Sequence, residues 1–83
     1  MKAPKEYTLI KYRGRTGTES EVTGTLEYLT KYFSYTLECG SSWNRKISRN
    51  PKTISSLVNN INRSYDETQA GCYSRDSVSL KAA

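Results

Sequence analysis

Two short segments near the start of the chain alternate between polar and apolar residues. Residues 5–13 are rich in aromatic and β-branched side chains, and residues 18–24 alternate Glu19 and Glu21 with smaller or apolar neighbours. A repeat every second residue is typical of β-strands with one solvated face. Residues 14–17, which include two glycines, have the composition of a turn. The sequence therefore predicts a β-hairpin.

From residue 25 the apolar residues recur at helical spacing instead. Thr25 is a suitable N-cap, and Cys39 followed by Gly40 is a suitable end, so we expect one helix between them. Its apolar stripe is formed by Leu26, Leu29, Phe33 and Leu37. A second, aromatic face is formed by Tyr28, Tyr32 and Tyr35. We expect this face to cover the sheet or to contact a second copy of the chain.

A second helix is predicted to start at residue 50. Asn50 is a good N-cap, and Pro51 suits the first helical position because its missing N–H has no helical partner there. The apolar residues that follow keep the helical rhythm as far as residue 65: Ile54, Leu57, Val58, Ile61 and Tyr65. We expect the helix to fade near residues 69–71.

The tail of the chain, residues 72–80, returns to a period of two. This pattern predicts a third strand with Asp76 near its solvated end. The element order is then ββααβ. The simplest way to bury every apolar stripe is a small single-domain α+β fold, with a three-stranded antiparallel sheet and both helices on one face. We expect that domain to span residues 1–83, with flexible ends at 1–4 and 81–83.

Composition limits what such a domain can do. The 83 residues are only 35% hydrophobic, which predicts a thin core. Thirteen basic and eight acidic residues give a net charge of +5, which favours anionic partners such as nucleic acid, a nucleotide or an acidic protein surface, but which also serves plain solubility. No run approaches the roughly 20 apolar residues of a membrane span, and no apolar signal segment follows the first five residues. We expect a cytoplasmic protein without membrane contact.

The sequence holds few catalytic or metal-binding ingredients. It has no histidine, which excludes Ser-His-Asp and Cys-His catalysis and histidine-ligated metals. Its two cysteines, Cys39 and Cys72, are too few for a structural zinc site, and we expect two half-buried thiols. The eight carboxylates are scattered, without a paired spacing suited to acid–base chemistry. The sequence therefore predicts no enzyme, no cofactor and no bound metal.

The connector between the predicted helices, residues 41–52, is unusual for a simple link. It holds Trp43, the only tryptophan, and four cationic residues: Arg45, Lys46, Arg49 and Lys52. In the predicted second helix Lys52 lies in the first turn, where a positive charge opposes the helix dipole unless an anion binds nearby. The backbone N–H groups after Asn50 would suit a phosphate, and Trp43 could stack on a base.

Two residues of the predicted third strand, Tyr73 and Arg75, could approach the same connector. The candidate binding set for a partner, nucleotide or phosphate is therefore Trp43, Arg45, Lys46, Arg49, Asn50, Lys52, Tyr73 and Arg75. The alternative is that Trp43 covers the small core beneath a connector whose charges are only solvated.

Three runs of the chain carry a resemblance to known proteins. They are YFSYTLECG at residues 32–40, SW at residues 42–43 and ISRNPKTISSLV at residues 47–58. They resemble small uncharacterised accessory proteins of tailed bacteriophages, and the similarity spans most of the chain. The resemblance implies no site residues. It implies a class of activity, because such proteins commonly bind and block a host component, for example a CRISPR effector or another anti-phage system.

Three functions are open from the sequence. The first is a non-catalytic phage-type inhibitor that binds a host protein complex stoichiometrically through Trp43 and the arginines of the connector. The second is a nucleic-acid-binding module whose connector contacts phosphates. The third is a sponge that sequesters a nucleotide, in a homo-oligomer that closes the pocket. The positive net charge excludes mimicry of DNA.

Overall fold

The computed structural model describes residues 5–71 and 74–81. The strands are β1 (Glu6–Arg13), β2 (Thr18–Thr25) and β3 (Ser77–Leu80), and the helices are α1 (Leu26–Tyr32), α2 (Ser34–Trp43) and α3 (Ile54–Thr68). The strands form one antiparallel sheet in the order β2-β1-β3. This confirms the predicted α+β fold, although the first predicted helix is in fact two. Of the ends predicted to be flexible, residues 1–4, 82 and 83 lie outside the described residues.

The core lies between one face of the sheet and the helices. Leu9 on β1 and Val78 on β3 are its buried strand side chains. The helices contribute Leu29, Phe33, Leu37, Leu57, Ile61 and Tyr65, and the connector contributes Ile47. Burial raises the pKa of the Tyr65 phenol, and a hydrogen bond with Thr36 opposes that shift only in part. The phenol therefore stays neutral at physiological pH.

The other face of the sheet carries mainly polar side chains, together with the half-buried Ile10 and the exposed Tyr12. The hydroxyl oxygens of Thr8 and Thr23 lie 2.9 Å apart across the hairpin. Lys81 Nζ lies 2.9 Å from Glu21 Oε1, and the N–H of Lys81 donates to the carbonyl of Thr8 (2.9 Å). Exposed pairs of this kind contribute little to stability. They hold the chain after β3 against β1 and β2.

The first predicted helix is interrupted at Phe33. Its φ of −97° and ψ of 14° depart from helical values. Helical hydrogen bonds continue on both sides, because Phe33 N donates to Leu29 O and Leu37 N donates to Phe33 O, each at 3.0 Å. The side chain of Phe33 is only 2% exposed, so the bend occurs where an aromatic ring fills the core. No proline or glycine marks this bend, and hydrophobic spacing alone could not reveal it.

Gly40 does not end the helix, and this prediction was wrong. The residue is buried inside α2, which continues to Trp43. A Cβ at Gly40 would lie 2.7 Å from the Cα of Ser64 on α3, and closer still to the Ser64 side chain. The hydroxyl of Ser64 is buried and finds no hydrogen-bond partner among the described residues. Glycine is therefore needed here for the close approach of α2 to α3.

The predicted start of the second helix was also wrong. Thr53 is the N-cap of α3, and its Oγ1 accepts a hydrogen bond from Ser56 N (3.1 Å). Asn50 and Pro51 precede the helix, and Asn50 N donates to Ser48 Oγ (3.1 Å) in a local turn. The apolar stripe after residue 54 is confirmed as the buried face of α3.

β3 is shorter than predicted and begins at Ser77. The carboxylate of Asp76, just before it, accepts hydrogen bonds from Gly14 N (3.0 Å) and Gln69 Nε2 (3.3 Å). Asp76 N in turn donates to Gln69 Oε1 (2.8 Å). A Cβ at Gly14 would lie 2.5 Å from the carbonyl oxygen of Arg75, so the hairpin turn packs directly on this segment. Asp76 therefore joins the hairpin turn, the end of α3 and the start of β3.

Asn62 covers the outer edge of β3. Its Nδ2 donates to the carbonyl oxygen of Val78 (2.8 Å), and its Oδ1 accepts from Val78 N (2.8 Å). The side-chain amide thus pairs with β3 as a neighbouring strand would. Asn62 lies outside the apolar stripe of α3, yet its side chain is half-buried.

We expect Asn62→Ala to lower the free energy of unfolding by about 1–3 kcal/mol, because it leaves a part-buried N–H and carbonyl of β3 without partners. Urea unfolding followed by circular dichroism measures this change. Asn59→Ala is the matched control, since Asn59 lies on the exposed side of the same helix. Equal effects of the two substitutions would contradict a structural role for the Asn62 amide.

Candidate functional site

The connector was predicted to span residues 41–52. Because α2 continues to Trp43 and α3 begins at Ile54, it spans residues 44–53 in the structure, and it is anchored along its length. Asn44 Nδ2 donates to Glu67 Oε1 on α3 (3.2 Å). Asn60 Nδ2, also on α3, donates to the carbonyl oxygen of Ser48 (3.1 Å). Between these two contacts the side chain of Ile47 enters the core and is only 2% exposed. The connector is therefore a fixed part of the fold that can present side chains in defined positions.

Trp43 is the last residue of α2 and is 75% exposed. The alternative in which this ring covers the core is therefore wrong. Ile47 belongs to the buried core cluster instead, because an aliphatic side chain has no polar atom to satisfy there. Sequence analysis missed Ile47 as a core residue. The available signal was that Ile47 is the only aliphatic side chain of the connector.

Arg45 and Lys46 lie two and three residues after Trp43, and both are exposed. The turn that carries them is held by Asn44, whose Oδ1 accepts from Lys46 N (3.0 Å) and whose carbonyl accepts from Ile47 N (3.0 Å). Neither cation belongs to the ion pairs that form between described residues, Arg75–Asp66 and Lys81–Glu21. An exposed indole is thus followed, two and three residues along the chain, by two cations that lie outside those ion pairs. We call Trp43, Arg45 and Lys46 the Trp43 cluster.

Arg49 is directed back towards α2. Its Nε donates to Ser41 Oγ (3.0 Å), and Ser41 Oγ donates to the carbonyl of Glu38 (2.9 Å). Arg49 and Asn50, together with Pro51, line one wall of an open groove of about 580 Å³. The opposite wall is formed by Leu26, Glu27, Thr30, Lys31, Ser34 and Glu38. This lining mixes both signs of charge, so the groove does not resemble a dedicated phosphate site.

The predicted anion site at the start of the second helix does not form as expected. Lys52 is exposed and lies before α3 rather than in its first turn. The Thr53 hydroxyl already accepts one of the free N–H groups of α3 and also donates to Ser56 Oγ (2.9 Å). Lys52 therefore precedes the N-cap, and the predicted first-turn placement that had suggested an anion was wrong.

Arg75 lies away from the connector. Its guanidinium is 3.2 Å from Asp66 Oδ1 on α3. With 3.6 residues per turn, Asp66 and Asn62 lie on one side of α3, whereas Asn60 and Glu67, which bind the connector, lie on the opposite side. Helix α3 therefore separates Arg75 from the Trp43 cluster. Tyr73, the other candidate from the third strand, lies outside the described residues.

The aromatic face predicted from the sequence is exposed and longer than expected. Tyr28, Tyr32 and Tyr35 are 51%, 52% and 78% exposed. Because α2 continues past Gly40, Cys39 and Trp43 extend the same helical face. The nearby Cys39 thiol raises the pKa of the Tyr35 phenol above its usual value, and the charge of Glu38 adds a smaller contribution in the same direction. Cys72 lies outside the described residues, so no relation between the two thiols follows.

Within residues 5–71 and 74–81, no three His, Cys, Asp or Glu side chains are grouped closely enough to hold a metal ion. No helix of the described chain has the length and apolarity to cross a bilayer. The arrangement offers groups for binding, namely an exposed indole, two cations and an aromatic face. No protein-family model matches the chain, and neither does any curated protein or solved structure.

Proposed function

We propose that this protein is a non-catalytic binding protein that docks an acidic surface of a partner protein through the Trp43 cluster. The observation that carries the proposal is the 75% exposure of Trp43 beside Arg45 and Lys46, on a turn fixed by Asn44. A tryptophan exposed to water has a free-energy cost that burial against a partner removes. Tryptophan and arginine are also the residues most enriched among those that dominate binding energy at protein interfaces.

The distribution of charge favours a protein partner over nucleic acid. A nucleic-acid site needs several cations along one track, because phosphate contacts supply most of its affinity. Here Arg49 turns towards α2 and Arg75 lies across α3, paired with Asp66. Glu67 sits beside the connector, where it accepts from Asn44. A compact indole with two cations is better matched to a small acidic patch on a protein.

We further propose that binding inhibits its target stoichiometrically, in the manner of the phage accessory proteins that the sequence resembles. The target would be a host protein complex of a defence system, such as a CRISPR effector, or a host-takeover target, in the cytoplasm of an infected bacterium. The scarcity of catalytic side chains and the small size of the domain support occlusion of a surface rather than chemistry on a substrate.

The first test is an affinity capture of the tagged protein from bacterial lysate, with and without nuclease, followed by mass spectrometry and nucleotide extraction. We expect a protein partner that survives nuclease. Loss of every partner after nuclease would favour a nucleic-acid-binding module instead. A bound nucleotide without protein would favour a sponge.

We expect Trp43→Ala to weaken binding of the captured partner by about 2 kcal/mol or more, roughly thirtyfold, because it removes the aromatic anchor. Arg45→Ala with Lys46→Ala should mainly slow association and reduce its salt dependence. Isothermal titration and stopped-flow mixing measure the two effects. Both variants should keep the wild-type melting temperature, since all three side chains are exposed.

The matched control is Lys5→Ala with Arg15→Ala, which removes the same charge from exposed positions outside the connector. An equal loss of binding in the control would show that net charge matters and the Trp43 cluster does not. Unchanged binding by Trp43→Ala would remove that residue from the site.

A further inference from the structure

The exposed flank of α1 and α2 carries aromatic side chains in a regular row. We call Tyr28, Tyr32, Tyr35 and Cys39 the tyrosine stripe. Its members are separated by four, three and four residues, which is the spacing of the seam between two coiled helices. The Tyr28 and Tyr32 ring centroids are 6.4 Å apart, and Tyr35 is 78% exposed. The row therefore presents three phenol rings to solvent along one flank of α1 and α2.

Two opposite charges flank the tyrosine stripe on one side. Lys31 and Glu38 are both exposed, and each immediately precedes a stripe residue. They are seven residues apart, so they lie one heptad from each other along the same line. Neither takes part in the ion pairs between described residues. The positive charge lies towards the start of the stripe and the negative charge towards its end.

We propose that the tyrosine stripe is the contact surface of a homodimer, in which the α1–α2 segments of two copies pack antiparallel about a two-fold axis. The axis reverses the order of the flanking charges, so Lys31 of each copy meets Glu38 of the other. Tyr32 of one copy then lies beside Tyr35 of the second. A parallel arrangement would give neither charge an opposite partner. The surface is thus complementary to itself, as a two-fold interface requires.

The available area sets the strength of this dimer. A stable complex of standard size buries about 800 Å² on each partner. A fully buried tyrosine contributes about 150–250 Å², and the three tyrosines of the stripe are between half and four-fifths exposed. They supply roughly half of the required area, and the flanking side chains supply part of the remainder. The dimer is therefore weak and forms in a concentration-dependent way.

This inference does not rest on the proposed function. Arg45 and Lys46 lie beyond the end of α2, outside the tyrosine stripe, and stay accessible in the dimer. Trp43 lies on the helical face of the stripe, beyond its last member, so each dimer would present the Arg45 and Lys46 cations of both copies. A monomeric variant that still captures the partner would separate the two proposals, since one would then hold without the other.

The test is sedimentation equilibrium of the full chain from about 10 μM to 1 mM. We expect the wild type to form a reversible dimer. Lys31→Glu and Glu38→Lys should each weaken it by about tenfold, because each turns two attractive pairs into repulsive ones. The double variant Lys31→Glu/Glu38→Lys exchanges the charges and should restore wild-type association. Circular dichroism confirms that each variant is folded.

Two tyrosine variants complete the design. Tyr35→Glu should abolish dimerisation, whereas Tyr12→Glu, at a 37% exposed tyrosine on the sheet, should leave it unchanged. A wild type that is monomeric at every concentration would overturn the proposal. So would a dimer that persists in Tyr35→Glu, or a charge exchange that fails to restore association.

Discussion

Replacement of Gly40 by alanine is expected to lower the melting temperature by about 12–24 °C, through a loss of about 3 kcal/mol. The added methyl group would lie 2.7 Å from the Cα of Ser64, a contact that no change of rotamer can relieve. Helices α2 and α3 would have to separate along their contact. Thermal unfolding measured by circular dichroism gives the size of the effect.

The direction of the stability change in Gly40→Ala distinguishes a buried helix contact from an exposed helical position. Alanine favours a helix interior over glycine by about 0.8–1 kcal/mol, so the variant would be more stable if Gly40 were merely an exposed helical residue. A stabilised Gly40→Ala protein would therefore contradict the close approach of the two helices. The double variant Gly40→Ala/Ser64→Gly removes the two nearest side-chain atoms of Ser64 and should recover part of the loss.

Ser64→Ala serves as the matched control for this pair. The hydroxyl that it removes is buried without a hydrogen-bond partner among the described residues, so its loss is expected to change stability by less than about 1 kcal/mol. A coupling between the two positions in the double-mutant cycle would show that the effect of Gly40→Ala acts through Ser64.

Truncation of Leu57 is expected to cost about 2–5 kcal/mol, because the side chain is fully buried in the core and alanine would leave a cavity. A domain of 83 residues has a total stability of roughly 4–12 kcal/mol, so Leu57→Ala should be partly or wholly unfolded at 37 °C. Denaturant unfolding of the purified protein measures the loss.

Leu57→Met keeps nearly the same volume and should cost less than about 1.5 kcal/mol. Comparing the two variants separates the effect of a lost side-chain volume from the effect of replacing leucine by another residue of similar size. If Leu57→Ala keeps the wild-type unfolding midpoint, the assignment of this helix face to the core is wrong.

Hydrophobic spacing was enough to predict the scaffold. Leu57, Ile61 and Tyr65 form the buried face of α3 as their spacing indicated, because a helix with one apolar side has only one way to face a core. Alternation likewise predicted β1 and β2. The tyrosine face was predicted as well, since its members share one side of a helix whether or not that helix bends.

Glycine and N-cap residues predicted the helix ends less well, because each of these residue types occurs in a sequence for more than one structural reason. A glycine marks a helix end or a close helix contact equally well, and at Gly40 the cause was the contact with Ser64. Asn50 and Thr53 are both good caps, but it is the Thr53 hydroxyl that accepts from a helical N–H, that of Ser56. Sequence spacing cannot show which competing hydrogen bond forms.

The candidate site was predicted in part. Trp43, Arg45 and Lys46 are close in sequence, and all three are exposed in the structure. Arg75 was grouped with them on the expectation that the third strand would reach the connector, but α3 stands between. Such a separation depends on which side of a helix each segment packs against. Side-chain contacts, such as those of Asn44 with Glu67 and of Asn62 with Val78, fix the side of α3 on which the connector and β3 pack.

The Asn62 amide also has a consequence for how this protein meets other extended chains. A sheet grows by adding strands at edges whose N–H and carbonyl groups are free. The Asn62 amide bonds both the backbone N–H and the carbonyl of Val78. These two groups lie near the middle of the four-residue β3 and point away from β1. Among the described strands, only β2 then offers a long row of free backbone groups. Glu19 and Glu21 on β2 repel a second copy of the same strand, so both edges of the sheet resist templated aggregation.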